Sequence, residues 1–344
     1  MSRRKVALLG AGLAATPYLR ALHAAGCEVV AVATRDPGRL EAVRAMFPAA
    51  QQHWPPASAL DAGVGLAVVL SPTATHLEAV TAAAERGIDV IVEKPLEATE
   101  SAADKLVEAA EAAGIGLAVG FQHRGKPAGA ELYRALRAGT LGDFVSGSVE
   151  VPWWSGQEYY DEQGRGTFAR DGGGVLITQA VHPLDLLLWV VGLPRRVSAV
   201  AGRSPVHRME AEDVLVGLLD YGEGRAVSVN CTTAAFPGAE ERITVIGTAG
   251  TAVLEGSALT VHQRPEEEPV LVVAAEGTGK VADPGLMPAG WHEALVEDAL
   301  QAFETGRQPR ASGRSALGTQ RVVAALYRAA ESGRWVEVGS AGSR

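Results

Sequence analysis

Two segments of the sequence carry side chains that can move a proton or polarise an oxygen. Glu93-Lys94-Pro95 follows an apolar run, and a lysine at that point can hydrogen-bond a hydroxyl and stabilise developing negative charge. His182 lies in a second segment, and a histidine can take the proton of an alcohol as hydride leaves the carbon. Together they indicate acid–base chemistry at a carbon that bears a hydroxyl. The Lys94–Pro95 bond is a candidate for the cis form.

The segment around His182 begins with Gly172-Gly173-Gly174 and continues as an apolar run with helical spacing. Three glycines permit close backbone passage, and the run predicts a helix over about 178–191. Thr178, His182 and Asp185 would then share one face through i, i+4 and i, i+3 spacing. We expect Asp185 to orient the helix and not to act directly. The alternative for His182 is a buried core histidine without chemistry.

A glycine-rich turn near the start of the sequence predicts a dinucleotide-binding site. It reads Gly10-Ala11-Gly12-Leu13-Ala14-Ala15 and lies between a predicted strand and a predicted helix. Gly10 permits the tight turn, Gly12 lets phosphates touch the backbone, and Ala15 allows the helix to pack on the strand. The alternative is a glycine turn with a purely structural role.

The end of the second predicted strand indicates which dinucleotide is bound. Proteins that bind NAD usually have an acidic residue there, about twenty residues after the turn. This sequence has Thr34 and Arg35, and a hydroxyl with a guanidinium suits the 2′-phosphate of NADP. Arg35 could also stack on adenine or face water, and Asp36 could hold the ribose. We therefore predict NADP, with NAD as the alternative.

Further polar residues follow other predicted strands of the same sheet. Ser71-Pro72-Thr73 follows the third strand and His76 begins the next helix, so we assign them to the cofactor cleft together with Glu93 and Lys94. For His76 the alternative is an ordinary polar residue at a helix start. Arg124 follows the fifth strand, where it could contact substrate.

A predicted substrate wall lies between Trp153 and Arg170. Its side chains could stack on a sugar ring or hydrogen-bond to it, and we select Tyr160 as the contact residue. The alternative is loop packing and solvation. The candidates within this wall are Tyr159, Tyr160, Arg165 and Thr167.

The elements that would position these residues fall into two patterns. Up to about residue 120, short apolar runs alternate with alanine-rich helices, which predicts an α/β fold with a doubly wound parallel sheet. From about residue 143, strand-like runs follow one another and predict an antiparallel sheet. The predicted parallel strands are Lys5–Leu9, Glu28–Ala33, Leu66–Leu70, Asp89–Val92 and Ile115–Val119; the later runs are Phe144–Val151, Val197–Ala201, Asp213–Leu219, Ala226–Cys231, Arg242–Ile246 and Thr251–Leu254.

Composition excludes several classes of protein. The net charge of −9 over 344 residues argues against a protein that coats nucleic acid or an anionic membrane. Cys27 and Cys231 form no C-x-x-C pair, which fits a reduced cytoplasmic protein. The histidines show no spacing typical of a zinc site, so we predict no bound metal. Ser2-Arg3-Arg4-Lys5 resembles the start of a leader, but glycines interrupt the apolar run, so we expect neither a leader nor a transmembrane helix.

These motifs together resemble the glucose–fructose oxidoreductase/inositol dehydrogenase (Gfo/Idh/MocA) family. The resemblance implies a Rossmann domain over residues 1–123. Over residues 124–344 it implies an α+β domain for substrate binding and oligomerisation, with an open, mostly antiparallel sheet that forms dimers or tetramers. The segments that carry it are the glycine turn, Ser71-Pro72-Thr73 with His76, Glu93-Lys94-Pro95, Val119-Gly120-Phe121 with Arg124, Gly172–Asp185, and the tail from Trp291-His292 through Gly306-Arg307-Gln308-Pro309.

The resemblance also implies hydride transfer between a nicotinamide and a secondary alcohol or ketone of a sugar, polyol or related compound. Lys94 and His182 occupy the positions of the family's catalytic lysine and histidine, and both would contact substrate. The family often has an aspartate four residues before that histidine, whereas Thr178 stands here and can only hydrogen-bond a substrate hydroxyl. Two alternatives stay open: a cofactor-retaining hydrolase or lyase, and a non-catalytic dinucleotide sensor.

Overall fold

The computed structural model describes residues 4–12, 14–266, 268–275 and 289–339. The chain packs as two compact units, Met1–Gly125 with Ala289–Leu317, and Lys126–Pro288 with Gly318–Arg344. This division differs from a single boundary at residue 124. The helix that begins at Ala289 returns to the first unit because its apolar side, which includes Leu295 and Val296, is buried there.

Within the described residues, each unit contains one sheet. The strands of the first unit are β1 (Lys5–Leu9), β2 (Glu28–Ala33), β3 (Gln51–His53), β4 (Leu66–Val69), β5 (Asp89–Val92) and β6 (Leu117–Val119). Those of the second are β7 (Phe144–Pro152), β8 (Arg196–Gly202), β9 (Val214–Gly222), β10 (Arg225–Thr232), β11 (Arg242–Gly247), β12 (Gly250–Glu255), β13 (Ala258–Gln263), β14 (Leu271–Val273) and β15 (Val336–Glu337). The α-helices are α1 (Ala15–Ala24), α2 (Pro37–Arg44), α3 (His76–Ala84), α4 (Glu100–Ala113), α5 (Pro127–Arg137), α6 (Gln157–Tyr160), α7 (Phe168–Asp171), α8 (Val181–Val191), α9 (Ala289–Thr305) and α10 (Gly313–Ser332).

The sheet of the first unit is parallel and has the order β3-β2-β1-β4-β5-β6. This is the strand order of a doubly wound dinucleotide-binding fold, so the predicted fold class is confirmed. The apolar runs form strands because both faces of the sheet are covered, and Leu66–Val69 is buried throughout. The prediction missed β3, because the polar Gln51–His53 strand lies at the edge of the sheet.

The sheet of the second unit has the order β14-β13-β12-β11-β7-β10-β9-β8-β15 and is antiparallel except where β7 pairs with β10. The mostly antiparallel sheet is therefore confirmed. Buried and exposed residues alternate along β9 and β10, as expected when one face lies on a core and the other is open. Helices α5 and α8 pack on the covered face.

The helix predicted over 178–191 differs from the structure at its start. Residues Leu176–Ala180 form a π-helical turn, and the α-helix begins at Val181. A π turn places hydrogen bonds between i and i+5 and holds more residues than an α turn. The α-helical spacing that placed Thr178 on the face of His182 therefore does not apply before Val181.

One helical stretch, Phe168–Val191, is long and apolar enough by composition to cross a membrane. In the structure, 83% of its most apolar window is buried inside the protein. Leu184, Leu186 and Leu187 are fully buried, as in the core helix of a globular unit. Its apolar character is therefore explained by packing.

Candidate functional site

The glycine turn of the first unit has the geometry of an anion-binding site. Gly10 lies at φ +98°, and a Cβ there would be 2.7 Å from the carbonyl oxygen of Leu70. Around Gly12, no described atom lies within 4 Å of the position a Cβ would take, so a ligand can approach its backbone. No side chain caps α1 at Ala14, and the N–H of Ala15 donates to the carbonyl oxygen of Gly12 at 3.0 Å, so the N–H groups that follow in the first turn are those that can face a phosphate. Leu13, also predicted to bind cofactor, lies outside the described residues.

The residues after β2 are held by local hydrogen bonds. The buried Thr34 hydroxyl accepts a hydrogen bond from the N–H of Asp36 at 3.1 Å. Asp36 in turn caps α2, because its Oδ1 accepts from the N–H of Gly38 at 2.8 Å and its Oδ2 lies 3.3 Å from Nε of Arg39. The Asp36 carboxylate is thus engaged with the helix, which weakens the alternative that it holds the cofactor ribose.

Arg35 is exposed beside an aromatic side chain that sequence reasoning missed. Its guanidinium carbon lies 5.0 Å from the ring centre of Trp54, within the range of a cation–π interaction. Trp54 directly follows β3, and the register pairs Ala33 with His53, so β2 and β3 end side by side. The pairing of the strands, which the sequence pattern did not reveal, brings Arg35 and Trp54 together.

His76 begins α3 as predicted, but its ring is enclosed. The residue is 1% exposed, its Nδ1 lies 3.2 Å from the carbonyl oxygen of Leu96, and its Nε2 lies 3.0 Å from that of Ser71. Burial lowers the pKa of His76, while hydrogen bonding to these carbonyls opposes the shift. The ring therefore ties together the segments that follow β4 and β5. Its predicted direct contact with the cofactor gains no support from this placement.

The Ser71-Pro72-Thr73 segment follows β4 at the carboxyl edge of the sheet, as expected. Ser71 Oγ lies 2.7 Å from Thr75 Oγ1, and the Thr75 hydroxyl also donates to the carbonyl oxygen of Pro72. Thr73 opens a single turn of 3-10 helix that leads into α3. These bonds fix the segment next to the glycine turn, where Leu70 lies against Gly10.

Glu93 and Lys94 follow β5 at the same edge, and the Lys94–Pro95 bond is cis. Glu93 Oε2 accepts a hydrogen bond from the hydroxyl of Tyr18 at 2.6 Å, and Tyr18 is fully buried on α1. Burial raises the pKa of Glu93, and the positive charge of Lys94 opposes that shift. Gly120 allows this contact, because a Cβ there would lie 2.3 Å from the Tyr18 hydroxyl. Tyr18 therefore supports the backbone on which Lys94 is carried.

Arg124 is buried and engaged inside the first unit. Its guanidinium donates to the carbonyl oxygen of Arg310 at 2.6 Å and to Ser315 Oγ at 2.8 Å. It thereby ties the residues after β6 to Arg310 and to the first turn of α10. The predicted contact between Arg124 and substrate gains no support from these bonds, which give the side chain a structural role.

In the second unit, a carboxylate holds the glycine loop before His182. Glu212 accepts from the N–H of Gly174 at 2.9 Å and from that of Leu176 at 3.1 Å, and the Tyr327 hydroxyl donates to it at 2.9 Å. Burial raises the pKa of Glu212, and these hydrogen bonds oppose the shift. A Cβ on Gly174 would lie 1.7 Å from the carbonyl oxygen of Glu212. The third glycine is thus required for close approach, whereas Glu212 carried no signal in the sequence.

The candidate residues after the loop occupy different environments. The Thr178 hydroxyl donates to the carbonyl oxygen of Gly174 at 2.6 Å, so its donor is used within the turn. His182 is 4% exposed near the start of α8. Asp185 is fully buried and accepts a hydrogen bond from the Thr319 hydroxyl at 2.7 Å. Asp185 therefore fastens α8 to α10, in agreement with the expected orienting role.

Tyr160 lies in a buried cluster of the predicted substrate wall. Its hydroxyl is 2.6 Å from Thr233 Oγ1, and burial raises its pKa to about 12. Its ring contacts His207, whose Nδ1 lies 2.7 Å from Asp213 Oδ2. Since the hydroxyl already has a partner, the predicted contact of Tyr160 with substrate stays a prediction. Among the described residues, no group of three or more His, Cys, Asp and Glu side chains is arranged to hold a metal.

Two family models match the chain. Residues 4–121 match the oxidoreductase family with an NAD-binding Rossmann fold, and residues 130–253 match the GFO/IDH/MocA C-terminal domain. A D-apiose dehydrogenase from Paraburkholderia graminis is 29% identical, over 99% of this chain and 91% of that protein. Inositol 2-dehydrogenase 4 from Saccharopolyspora erythraea is 31% identical, over 77% of this chain and 78% of that protein.

A solved structure shows the same fold. The WlbA dehydrogenase from Bordetella pertussis, in complex with NADH and UDP-GlcNAcA, has a TM-score of 0.82 at 26% identity and covers 98% of this chain and 100% of its own. The matched ranges include both the glycine turn and the His182 segment, and the resemblance stated from the motifs is confirmed. The chain is therefore an NAD(P)-dependent oxidoreductase of the GFO/IDH/MocA family.

Proposed function

We propose that this enzyme oxidises a secondary alcohol of a sugar, polyol or related compound, or reduces the corresponding ketone, with Lys94 and His182 as its catalytic residues. A bound nicotinamide supplies the hydride acceptor or donor. Lys94 donates a hydrogen bond to the substrate oxygen and stabilises negative charge as it develops. An imidazole nitrogen of His182 takes the hydroxyl proton in oxidation and returns it in reduction. The proposal rests on two features of the first unit. The glycine turn after β1 is open and has no capping side chain, and Lys94 follows β5 at the same carboxyl edge of the sheet.

Residues of the first unit fit a dinucleotide. The backbone of Gly10, Gly12 and Ala14 would hold the diphosphate, since α1 begins there without a capping side chain. We propose that Thr34 and Arg35 hold a 2′-phosphate, so that NADP is the preferred cofactor. The engagement of Asp36 with α2 supports this preference, because an NAD site normally offers a free carboxylate to the ribose.

We further propose a homo-oligomer formed through the open face of the second sheet. Apolar side chains are exposed there: Val200 pairs with Val216 across the strands, and Leu218 follows on the same face. Exposed apolar patches of this kind mark interfaces. A dimer or tetramer fits this face. A cytoplasmic location fits Cys27 and Cys231, both of which are buried and free.

The test uses the purified enzyme with NADP and, separately, with NAD. Nicotinamide absorbance at 340 nm would be followed with myo-inositol, D-xylose, D-apiose and related sugars as probes. We expect reduction of the cofactor by at least one probe, faster with NADP, and loss of turnover in Lys94→Met and His182→Gln. Product that forms without net cofactor reduction would favour the alternative function of a cofactor-retaining hydrolase or lyase. Nucleotide binding without reaction of any probe would favour the alternative of a non-catalytic dinucleotide sensor.

A further inference from the structure

The side chain of Gln179 is buried, but its amide makes no hydrogen bond within the described part of the chain. The residue is 6% exposed, and neither Nε2 nor Oε1 has a hydrogen-bond partner among the described residues. Within that part of the chain, it is the only buried amide for which both polar atoms lack a partner. A buried polar group left unpaired destabilises the fold, so native proteins rarely retain one without a role.

The backbone around Gln179 is unusual in a second, independent way. The residue lies in the π-helical turn Leu176–Ala180, three positions before His182. π turns are rare and occur frequently at functional sites. The turn is held from both sides by bonds that do not involve Gln179. Glu212 binds the preceding backbone, and Asp185 accepts from Thr319 on the following helix. The backbone that carries the amide is thus fixed by its surroundings.

We propose that Gln179 is a substrate-binding residue that hydrogen-bonds a hydroxyl of a neutral polyhydroxylated substrate. Its amide offers two N–H donors and a carbonyl acceptor. A hydroxyl both donates and accepts, so neighbouring hydroxyls of a sugar or polyol can satisfy Nε2 and Oε1 together. A carboxylate only accepts and would leave Oε1 unpaired. The inference deepens the proposed function and rests on it, because it names the substrate chemistry of the same reaction.

The first arm of the test measures thermal unfolding without any ligand. Gln179→Met keeps the size of the side chain and removes the unpaired amide, so we expect its Tm to equal or exceed that of the wild type. The matched control is Gln320→Met. Gln320 is also buried in the second unit but has an interaction partner within the protein. We expect this control to lower Tm by a few degrees, roughly 2–8 °C. A Gln179→Met protein that is destabilised like the control would overturn the proposal, since the amide would then be structural.

The second arm measures steady-state kinetics on the probe that the wild type oxidises best. Gln179→Met should raise KM about 10- to 100-fold, because a buried hydrogen bond to substrate is lost. The Kd for NADP, measured by equilibrium titration, should not change, and Gln320→Met should leave KM unchanged. An unchanged KM in Gln179→Met contradicts the proposal and would assign the amide to a bound water. If the wild type oxidises none of the probes, the proposed function fails, whereas the unfolding arm still decides the role of Gln179.

Discussion

At the level of single residues, Lys94 follows a strand end that its neighbours hold in place. Glu93 is half-buried beside it and takes a hydrogen bond from Tyr18 across 75 positions of sequence. Glu-Lys-Pro at a strand end was enough to locate Lys94, because strand ends at the carboxyl edge collect ligands. Tyr18 and Trp54 could not be predicted, since only the folded arrangement of α1, β2 and β3 brings them to Glu93 and Arg35.

Replacement of Lys94 and His182, the two proposed catalytic residues, tests their roles. Lys94→Met removes the charge that stabilises the oxygen, and His182→Gln removes the acid–base group while it keeps a polar side chain. We expect each change to lower kcat about 10²- to 10⁴-fold, with the Kd for NADP altered less than threefold. Stopped-flow or steady-state absorbance at 340 nm gives kcat, and calorimetric titration gives Kd. Full turnover in both folded variants would contradict the assignment.

The cofactor preference is tested at Arg35 and Trp54. Arg35→Ala should weaken binding of adenosine 2′,5′-bisphosphate about 10- to 100-fold, because a charge-assisted contact to the 2′-phosphate is lost. Trp54→Ala should weaken it about 2- to 5-fold, because the guanidinium loses its cation–π support. Titration calorimetry with this probe and with 5′-AMP separates the 2′-phosphate from adenine. Arg20→Ala, an exposed cation on α1, is the control. Equal losses for both probes would show that Arg35 does not recognise the 2′-phosphate.

His292 predicts how the stability of the fold depends on pH. Burial, with a smaller effect from His123, lowers the pKa of His292 to about 4, below its usual value near 6.5. Above pH 6.5 the group is neutral in both states and has no effect. As pH falls from 6.5 to 4, the unfolded chain binds a proton that the folded protein excludes, so stability is lost by up to about 3 kcal/mol.

Urea unfolding at pH 7.5 and pH 4.5 measures this contribution. We expect His292→Gln to lose less stability than the wild type between the two pH values. His53→Gln, which changes a partly exposed histidine of the same unit, should behave like the wild type. Parallel losses in all three proteins would show that His292 does not account for the acid sensitivity.

At the level of elements, the helix that carries His182 depends on the glycine loop just before it. That loop is held by the carboxylate of Glu212, which is far away in sequence. The glycine triplet and the apolar run predicted that a helix would follow. Its π turn and its start could not be predicted, because Glu212 binds the N–H groups of Gly174 and Leu176 from 38 and 36 positions away. The predicted strands agree with the structure to within two residues at each end, except that β9 runs three residues further, to Gly222. The alternating β13 was missed, as were the polar β3 and the short β14 and β15, which gave no clear pattern.

The requirement for close approach at this loop is tested by Gly174→Ala. The added Cβ would meet the Glu212 carbonyl at 1.7 Å, so the loop must shift. We expect a loss of about 2–4 kcal/mol in the free energy of unfolding and a large fall in kcat, because His182 moves with the turn. Gly202→Ala is the control, since no described atom lies within 4 Å of its added Cβ. Equal stability of both variants, measured by urea unfolding, would contradict this account of the glycine triplet.

At the level of the whole molecule, the two successive patterns of predicted elements indicated two parts and both of their sheets. The return of residues 289–317 to the first unit could not be predicted, because helical periodicity shows that α9 has an apolar face but not what that face covers. The same limit applies to the open face of the second sheet, whose Val200, Val216 and Leu218 are apolar and exposed.

The proposed oligomer is tested by placing charged side chains on the open face of the second sheet. Val216→Lys with Leu218→Lys places two cations on adjacent exposed positions of β9, and we expect the particle to dissociate to monomers because the charges cannot be buried in an interface. Light scattering after size-exclusion chromatography gives the mass. Val206→Lys, which charges an exposed valine outside the strands, should leave the mass unchanged. A wild type that is already monomeric, or a double variant of unchanged mass, would rule out this interface.

Transfer of a hydride between the substrate carbon and the nicotinamide can be followed with an isotope. The enzyme is incubated with NADP and a probe that carries deuterium on the carbon to be oxidised. Mass spectrometry of the isolated cofactor should show NADPH one mass unit heavier than that formed from the unlabelled probe. Unlabelled NADPH, or a product that forms while the cofactor stays oxidised, would contradict direct hydride transfer.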